Sequence, residues 1–288
     1  MTSCGFFEYW LKGIDNGVMQ EPPVKLAIRK GRDEVEWRFE HEWPLARTRW
    51  TKFYFDLSQP AAGTGPNIGR LVDANPAVSN SRSYPATSLG SMGSTSAASS
   101  QVMGGAISPD IGIVLETPPL AHDLEVTGPV AAVLWVASST EDMDLFLTIR
   151  NVDADGKDVL ETGQQGTPVP VAKGWLRVSH RELDQQLSLP YRPYHRHQRR
   201  LYLTPGEIVR VEVEIWPTSM VFRRGRRIRV DIQPRDGIGS AGYMLEPASK
   251  QAPTFISNSL VITITPITTP GRIRSMPAAK KNRTFCCP

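Results

Sequence analysis

From Val209 to Ile215 the chain alternates without a break. Val209, Val211, Val213 and Ile215 are apolar, and Arg210, Glu212 and Glu214 between them are charged. Successive side chains of a strand point to opposite faces, so a period of two places one face in a core and the other in water. AAVLWVAS, DLFLTIRNV, WLRVSHREL, IRVDIQP and LVITITPI are further strand candidates in the same half of the chain. All are rich in the β-branched and aromatic residues that suit a pleated surface. Asp155-Gly156, Pro205-Gly206 and Arg224-Gly225 separate them as turn signals. Many short antiparallel strands with turns between them predict an all-β fold, a β-sandwich or jelly roll.

The first half carries one helical signal. Phe6, Phe7, Trp10 and Leu11 recur at helical spacing, which predicts a helix over 5–13 ended by Gly13. Asp15-Asn16-Gly17 reads as a turn, and Val24 to Ile28 as an apolar run after Pro22-Pro23. The period then becomes two, with Trp37, Phe39, Trp43 and Phe53-Tyr54-Phe55 as strand-forming aromatics. Residues 58–112 are rich in Ser, Gly, Ala and Pro and read as a long, partly disordered loop.

Composition excludes more than it selects. The 288 residues are 40% hydrophobic and 22% charged with a net charge of +4, ordinary values for a globular chain. The densest basic runs are 192–200 and 223–229, of which the second reads as a solvated hairpin, and nucleic acid is not an expected partner. Cys4, Cys286 and Cys287 form neither a disulfide framework nor a zinc spacing. No signal peptide and no apolar run of about 20 residues is legible, so no membrane partner and a cytoplasmic location are expected.

The chemistry-bearing residues do not assemble into a motif. An α/β-hydrolase nucleophile needs Gly-x-Ser-x-Gly, and Ser240 comes nearest with Ile238 in place of the first glycine. Gly237, Gly239 and Gly242 match a dinucleotide fingerprint, but no helical crossover unit follows. Asp153, Asp155 and Asp158 in DADGKD supply only part of a calcium loop and read as a turn. His195 and His197 could share one face of a strand, yet two ligands do not make a metal site. Asp142 and Asp144 lack the apolar shielding that acid–base work needs. Trp175 and Trp216 are expected in the core rather than on an aromatic platform. Hence no catalytic, cofactor-binding or metal-binding residue is assigned.

Several phrases together resemble a known family. FFEYWLKGIDNGVMQEPPVKLAI (6–28) is similar to the junction where X-Pro dipeptidyl-peptidases and cocaine-esterase-like (CocE/NonD) serine hydrolases leave their catalytic domain. LETPPLAHDLEVTGPVAAVLWVASSTEDMDLFLTIRNVDADGKDV, PVPVAKGWLRVSHREL, LTPGEIVRVEVEIWPTSMVFRRGRRIRVDIQPRDG and LVITITP continue the resemblance in the same order, over about two thirds of the chain. The resemblance implies a parent that hydrolyses X-Pro peptide, amide or ester bonds through an acyl-serine. Its triad lies upstream of the FFEYWLKG-like helix, so this chain is expected to be inactive alone. The organisation it implies is an α/β-hydrolase remnant at 1–22, connecting strands at 23–57, the loop at 58–112, a jelly-roll β-sandwich of the galactose-binding-like kind at 113–267 and a disordered tail at 268–288. The Ser/Gly-rich stretch at 79–105 and the tail PGRIRSMPAAKKNRTFCCP depart from the family and favour a truncated or decaying copy. The expected partner is an α/β-hydrolase catalytic domain against Phe6, Phe7, Trp10 and Leu11, with oligomer contacts also in keeping with the family. The alternative is an independent jelly-roll module that binds carbohydrate or protein.

Overall fold

The computed structural model describes residues 3–58, 68–77, 80–85, 112–163 and 168–233, and the backbone of two strands at 253–257 and 260–264. A helix, α1 (Ser3–Lys12), precedes fifteen strands. These are β1 (Val24–Gly31), β2 (Glu34–Glu40), β3 (Arg49–Asp56), β4 (Ile68–Val72) and β5 (Arg82–Pro85). Next come β6 (Ile113–Glu116), β7 (Leu124–Ser138), β8 (Asp144–Val152), β9 (Glu161–Thr162) and β10 (Pro168–Val169). The last are β11 (Ala172–Arg177), β12 (Val209–Phe222), β13 (Arg227–Gln233), β14 (Pro253–Ser257) and β15 (Leu260–Ile264).

The ladders return on themselves. β7 pairs with β12, and the neighbours then run β11, β8, β13, β6, β4, β3 and β15, which pairs again with β7. All these pairings are antiparallel except β4 with β6. A closed ladder leaves no ring strand with an open hydrogen-bonding edge. Its interior holds Leu115, Val130, Leu134, Leu145, Leu147, Ile215, Val230 and Ile232, all buried. Within β12, Val209, Val211, Val213 and Ile215 are buried while Arg210 is exposed, as the alternation requires.

Two long strands bend at the same place. The register of β12 against β7 shifts between Ile215 and Thr218, opposite Val130 and Gly128. Pro217 on one strand and Pro129 on the other cannot donate to a ladder, so pairing breaks there and a bulge forms. Beyond the bulge β12 meets β1, at Met220 against Arg29, and the β1–β2 hairpin extends the sheet. That hairpin turns at Arg32 and Asp33, both at positive φ (57° and 63°). The left-handed conformation disfavours both residues. Bonds made by Asp33 offset the cost: its carboxylate accepts from Thr162 N (2.6 Å) and Thr162 Oγ1 (2.5 Å), and its amide donates to Glu161 Oε2 (2.9 Å).

The all-β expectation and the early strands are observed. Three details differ. The stretch 58–112 is not loop throughout, because β4 and β5 lie inside it. β4 is only IGRLV, too short to show a period, and Leu71 is buried by partners distant in the chain. Residue 113 is therefore no structural boundary either, since Phe55, Leu57 and Leu71 share one core with Leu115. WLRVSHREL is a strand only to Arg177, where the backbone tightens into a short helical turn at Val178–His180. The tail at 268–288 lies outside the described residues.

Burial of Glu161 gives a first test. Its carboxyl is pushed above the ordinary value of 4.5, chiefly by burial, although Arg29 pulls the other way. A carboxyl whose folded pKa exceeds its unfolded one favours folding most at low pH and loses that contribution as pH rises through the folded value. Glu161→Gln should therefore raise stability at pH 7 and leave it unchanged near pH 3. Urea unfolding at both pH values checks the sign.

Candidate docking surface

The residues with chemical potential are mostly engaged in holding the backbone. Asp142 Oδ1 accepts from Met143 N and Ser179 N, each at 2.9 Å. Asp144 takes a two-pronged ion pair from Arg177, at 2.8 and 2.9 Å. In DADGKD, Asp153 Oδ1 accepts from Asp155 N (3.0 Å) and Lys157 N (2.9 Å), and Gly156 turns the chain at φ 79°. Asp158 instead reaches the buried Arg150, with 2.7 Å between Nη1 and Oδ2. The two basic runs also spend charge internally: Arg199 pairs with Glu182, Arg196 with Asp184, Arg223 with Glu34 and Arg229 with Asp231. Ser240 and Gly237, Gly239 and Gly242 lie outside the described residues.

His195 and His197 do meet, and His180 joins them. The Nδ1 atoms of His180 and His197 are 3.1 Å apart, and the rings of His195 and His197 are 5.9 Å apart. Burial holds the His195 imidazole below its ordinary value. Among the described residues no three His, Cys, Asp or Glu side chains converge as a metal site. Nor does any serine hydroxyl there bond a histidine; the hydroxyls of Ser58, Ser138 and Ser188, for example, bond Asp56, Thr140 and the Tyr194 carbonyl.

The tryptophans contradict the core expectation. Trp175 and Trp216 are 38% and 44% exposed, with ring centroids 5.7 Å apart. Both belong to the outer face of the ring by alternation, Trp175 in β11 and Trp216 in β12, where it follows Arg210, Glu212 and Glu214. The bulge changes the face only beyond Pro217, where Thr218 and Met220 are buried at positions that the period of β12 would turn outward.

A larger apolar surface lies at the other end of the chain. Along α1, Phe7 is 54%, Trp10 57% and Leu11 77% exposed, and Phe6, Ile14 and Met19 are exposed beside them. Gly13 at φ 67° donates to the Tyr9 carbonyl (3.1 Å) and ends the helix. Asn16 Nδ2 ties the turn back to Gly5 O at 2.7 Å. The helix rests on the short turn Val18–Gln20 rather than on the core. On β2, Val35, Trp37 and Phe39 present a second exposed row at period two, with Lys25 Nζ 4.7 Å from the Trp37 ring. A ten-residue helix is marginal alone in water, and contiguous apolar patches on proteins usually mark contact surfaces. Among the described residues no helix is long and apolar enough to cross a membrane.

Comparison with known proteins agrees with this division of labour. Residues 16–237 match the model of the X-Pro dipeptidyl-peptidase C-terminal non-catalytic domain. The chain is 29% identical over 235 residues to a cocaine esterase of Rhodococcus, covering 79% of this chain and 36% of the esterase. A Mycobacterium bovis protein whose name proposes a serine esterase is 28% identical over 244 residues, 80% of this chain and 35% of that protein. The chain thus spans about a third of the length of these relatives. The fold matches a CocE/NonD family hydrolase from Staphylococcus aureus with a TM-score of 0.72 at 24% identity, covering 91% of this chain and 45% of the hydrolase. With the family model spanning most of the chain and the ring sheet in agreement, the chain belongs to the family of X-Pro dipeptidyl-peptidase C-terminal non-catalytic domains.

Proposed function

We infer that this chain serves as the non-catalytic half of a serine hydrolase, docked on an α/β-hydrolase catalytic domain through the apolar face of α1. The observation that carries the reading is the exposure of Phe7, Trp10 and Leu11 on a helix that, among the described residues, rests mainly on the turn Val18–Gln20. Leaving side chains of this size in water forgoes about 1.5–3 kcal/mol each, which a docking partner would recover. The parent reaction in this reading is hydrolysis of an ester, amide or X-Pro peptide through an acyl-serine supplied by the catalytic domain. The esterase names of the relatives support that choice.

A chimera joins the catalytic half of the Staphylococcus aureus hydrolase to this chain. Hydrogen exchange at α1 should slow by at least about tenfold relative to the isolated chain, because docking removes local opening. The pair of substitutions Phe7→Ser and Trp10→Ser should abolish that protection while leaving the unfolding free energy of the isolated chain within about 0.5 kcal/mol of wild type. Exchange at α1 that is equally fast in chimera and isolated chain would overturn the docking assignment.

A second reading, an independent binding module, is favoured by the exposed Trp175–Trp216 pair. Binding of the folded chain on a saccharide array supports it, and a blank array counts against its carbohydrate form.

A further inference from the structure

The proline bulge of β12 opens a groove of about 220 Å³ lined by Arg29, Val169, Val171, Lys173, Trp216 and Pro217 among others. Its volume lies below the roughly 300 Å³ at which drug-sized ligands begin to fit, so its ligand is small. Arg29 gives the groove its chemistry. Nη2 donates to Val171 O (2.9 Å) and Thr218 Oγ1 (2.5 Å), and Nε donates to Ser219 O (3.3 Å). Nη1 has no acceptor among the described residues, and no carboxylate there forms an ion pair with the guanidinium. Arg38, Arg150 and Arg229, also shielded from water, each have a carboxylate partner. A shielded cation hydrogen-bonded to neutral acceptors alone, with the Glu161 carboxylate acting on it without direct contact, leaves room for an incoming anion to pair with it.

The walls narrow the ligand further. Trp216 and Pro217 project from the bulge, and Trp175 extends the aromatic surface 5.7 Å away. Sugar sites need acceptors as well as donors for hydroxyl groups, and none of the lining side chains is a carboxylate or amide. Arg29 supplies a cationic side chain instead. We propose that this groove binds a small organic carboxylate, its anion on the Arg29 guanidinium and its flat apolar body against Trp216. Burial depresses the Arg29 pKa, and the nearby Glu161 carboxylate offsets this only in part. The site is independent of the α1 face, so a failure of one assignment does not carry over to the other.

Phenylacetate titrated into the full chain, with phenylacetamide as the uncharged isostere, tests the assignment by calorimetry and tryptophan fluorescence. Saturable binding of phenylacetate, at least tenfold tighter than phenylacetamide, is expected from a charge-assisted bond. Arg29→Met should weaken it by about tenfold or more. Arg29 also joins β1 to β12, so Trp216→Ala provides a variant at an exposed position that leaves the core intact, and it should remove both the quenching and most of the affinity. Equal binding of acid and amide, no binding of either, or wild-type affinity in folded Trp216→Ala would overturn the proposal.

Discussion

Asp231→Ala should cost about 3–5 kcal/mol, the usual range for breaking one partner out of a buried ion pair. The carboxylate accepts from Arg150 Nε and Arg229 Nε, both at 2.6 Å, and from Gln233 Nε2 at 3.4 Å. Arg150 is among the largest fully buried side chains, so losing Asp231 takes away one of the carboxylates that balance its charge. The loss comes from that uncompensated charge more than from the bond removed. A double variant, Arg150→Met with Asp231→Leu, should accordingly recover most of the stability. Urea unfolding followed by tryptophan fluorescence measures both. A loss within about 0.5 kcal/mol for Asp231→Ala, the level of a surface substitution, would mean that the pair is exposed in solution.

Ile215→Ala should cost about 2–5 kcal/mol, and Ile215→Val about 0.5–1.5 kcal/mol. Ile215 is fully buried where three ring strands meet, opposite Val130 on β7 and Gly174 on β11. Truncation leaves a cavity between ladders that cannot easily close. The neighbouring glycine shows how tight the seam is: a Cβ on Gly174 would sit 2.3 Å from the Glu214 carbonyl oxygen and 2.9 Å from the Ile215 side chain. Gly174→Ala should therefore destabilise too, by about 1–3 kcal/mol. Ile215→Val should not rescue it, because the nearer clash is with backbone. Equal unfolding midpoints for wild type and Gly174→Ala would show that the β11–β12 contact gives way freely.

These two sites illustrate what was legible in the residues. The alternation through Val213 and Ile215 predicts their burial correctly, because a period of two is a local property of one strand. That Gly174 faces Ile215 is not local and cannot be read from either segment. The same distinction explains β4, where IGRLV carries too short a pattern to outweigh the Ser/Gly-rich surroundings. It also explains Thr218 and Met220, which the alternation of β12 would turn outward and which are buried because prolines on two strands 88 positions apart (Pro129 and Pro217) create a bulge. The β1–β2 turn was opaque for a different reason. Arg32-Asp33 lacks the Asn-Gly signature, and the bonds that hold its left-handed backbone come from Glu161 and Thr162. By contrast, α1 and its exposed face were accessible from spacing alone, and the family resemblance gave a reason for that exposure. His180, the third member of the histidine cluster, sits beyond the end of β11 in a helical turn that strand periodicity does not foresee.

The non-catalytic character of the chain is open to one direct measurement. The purified, folded chain is incubated with a fluorophosphonate that labels activated serines, and intact mass is recorded alongside turnover of X-Pro chromogenic dipeptides and short-chain esters. The expected result is unmodified mass and turnover no faster than buffer. A stoichiometric adduct on one serine, with turnover that falls in proportion to labelling, would contradict it.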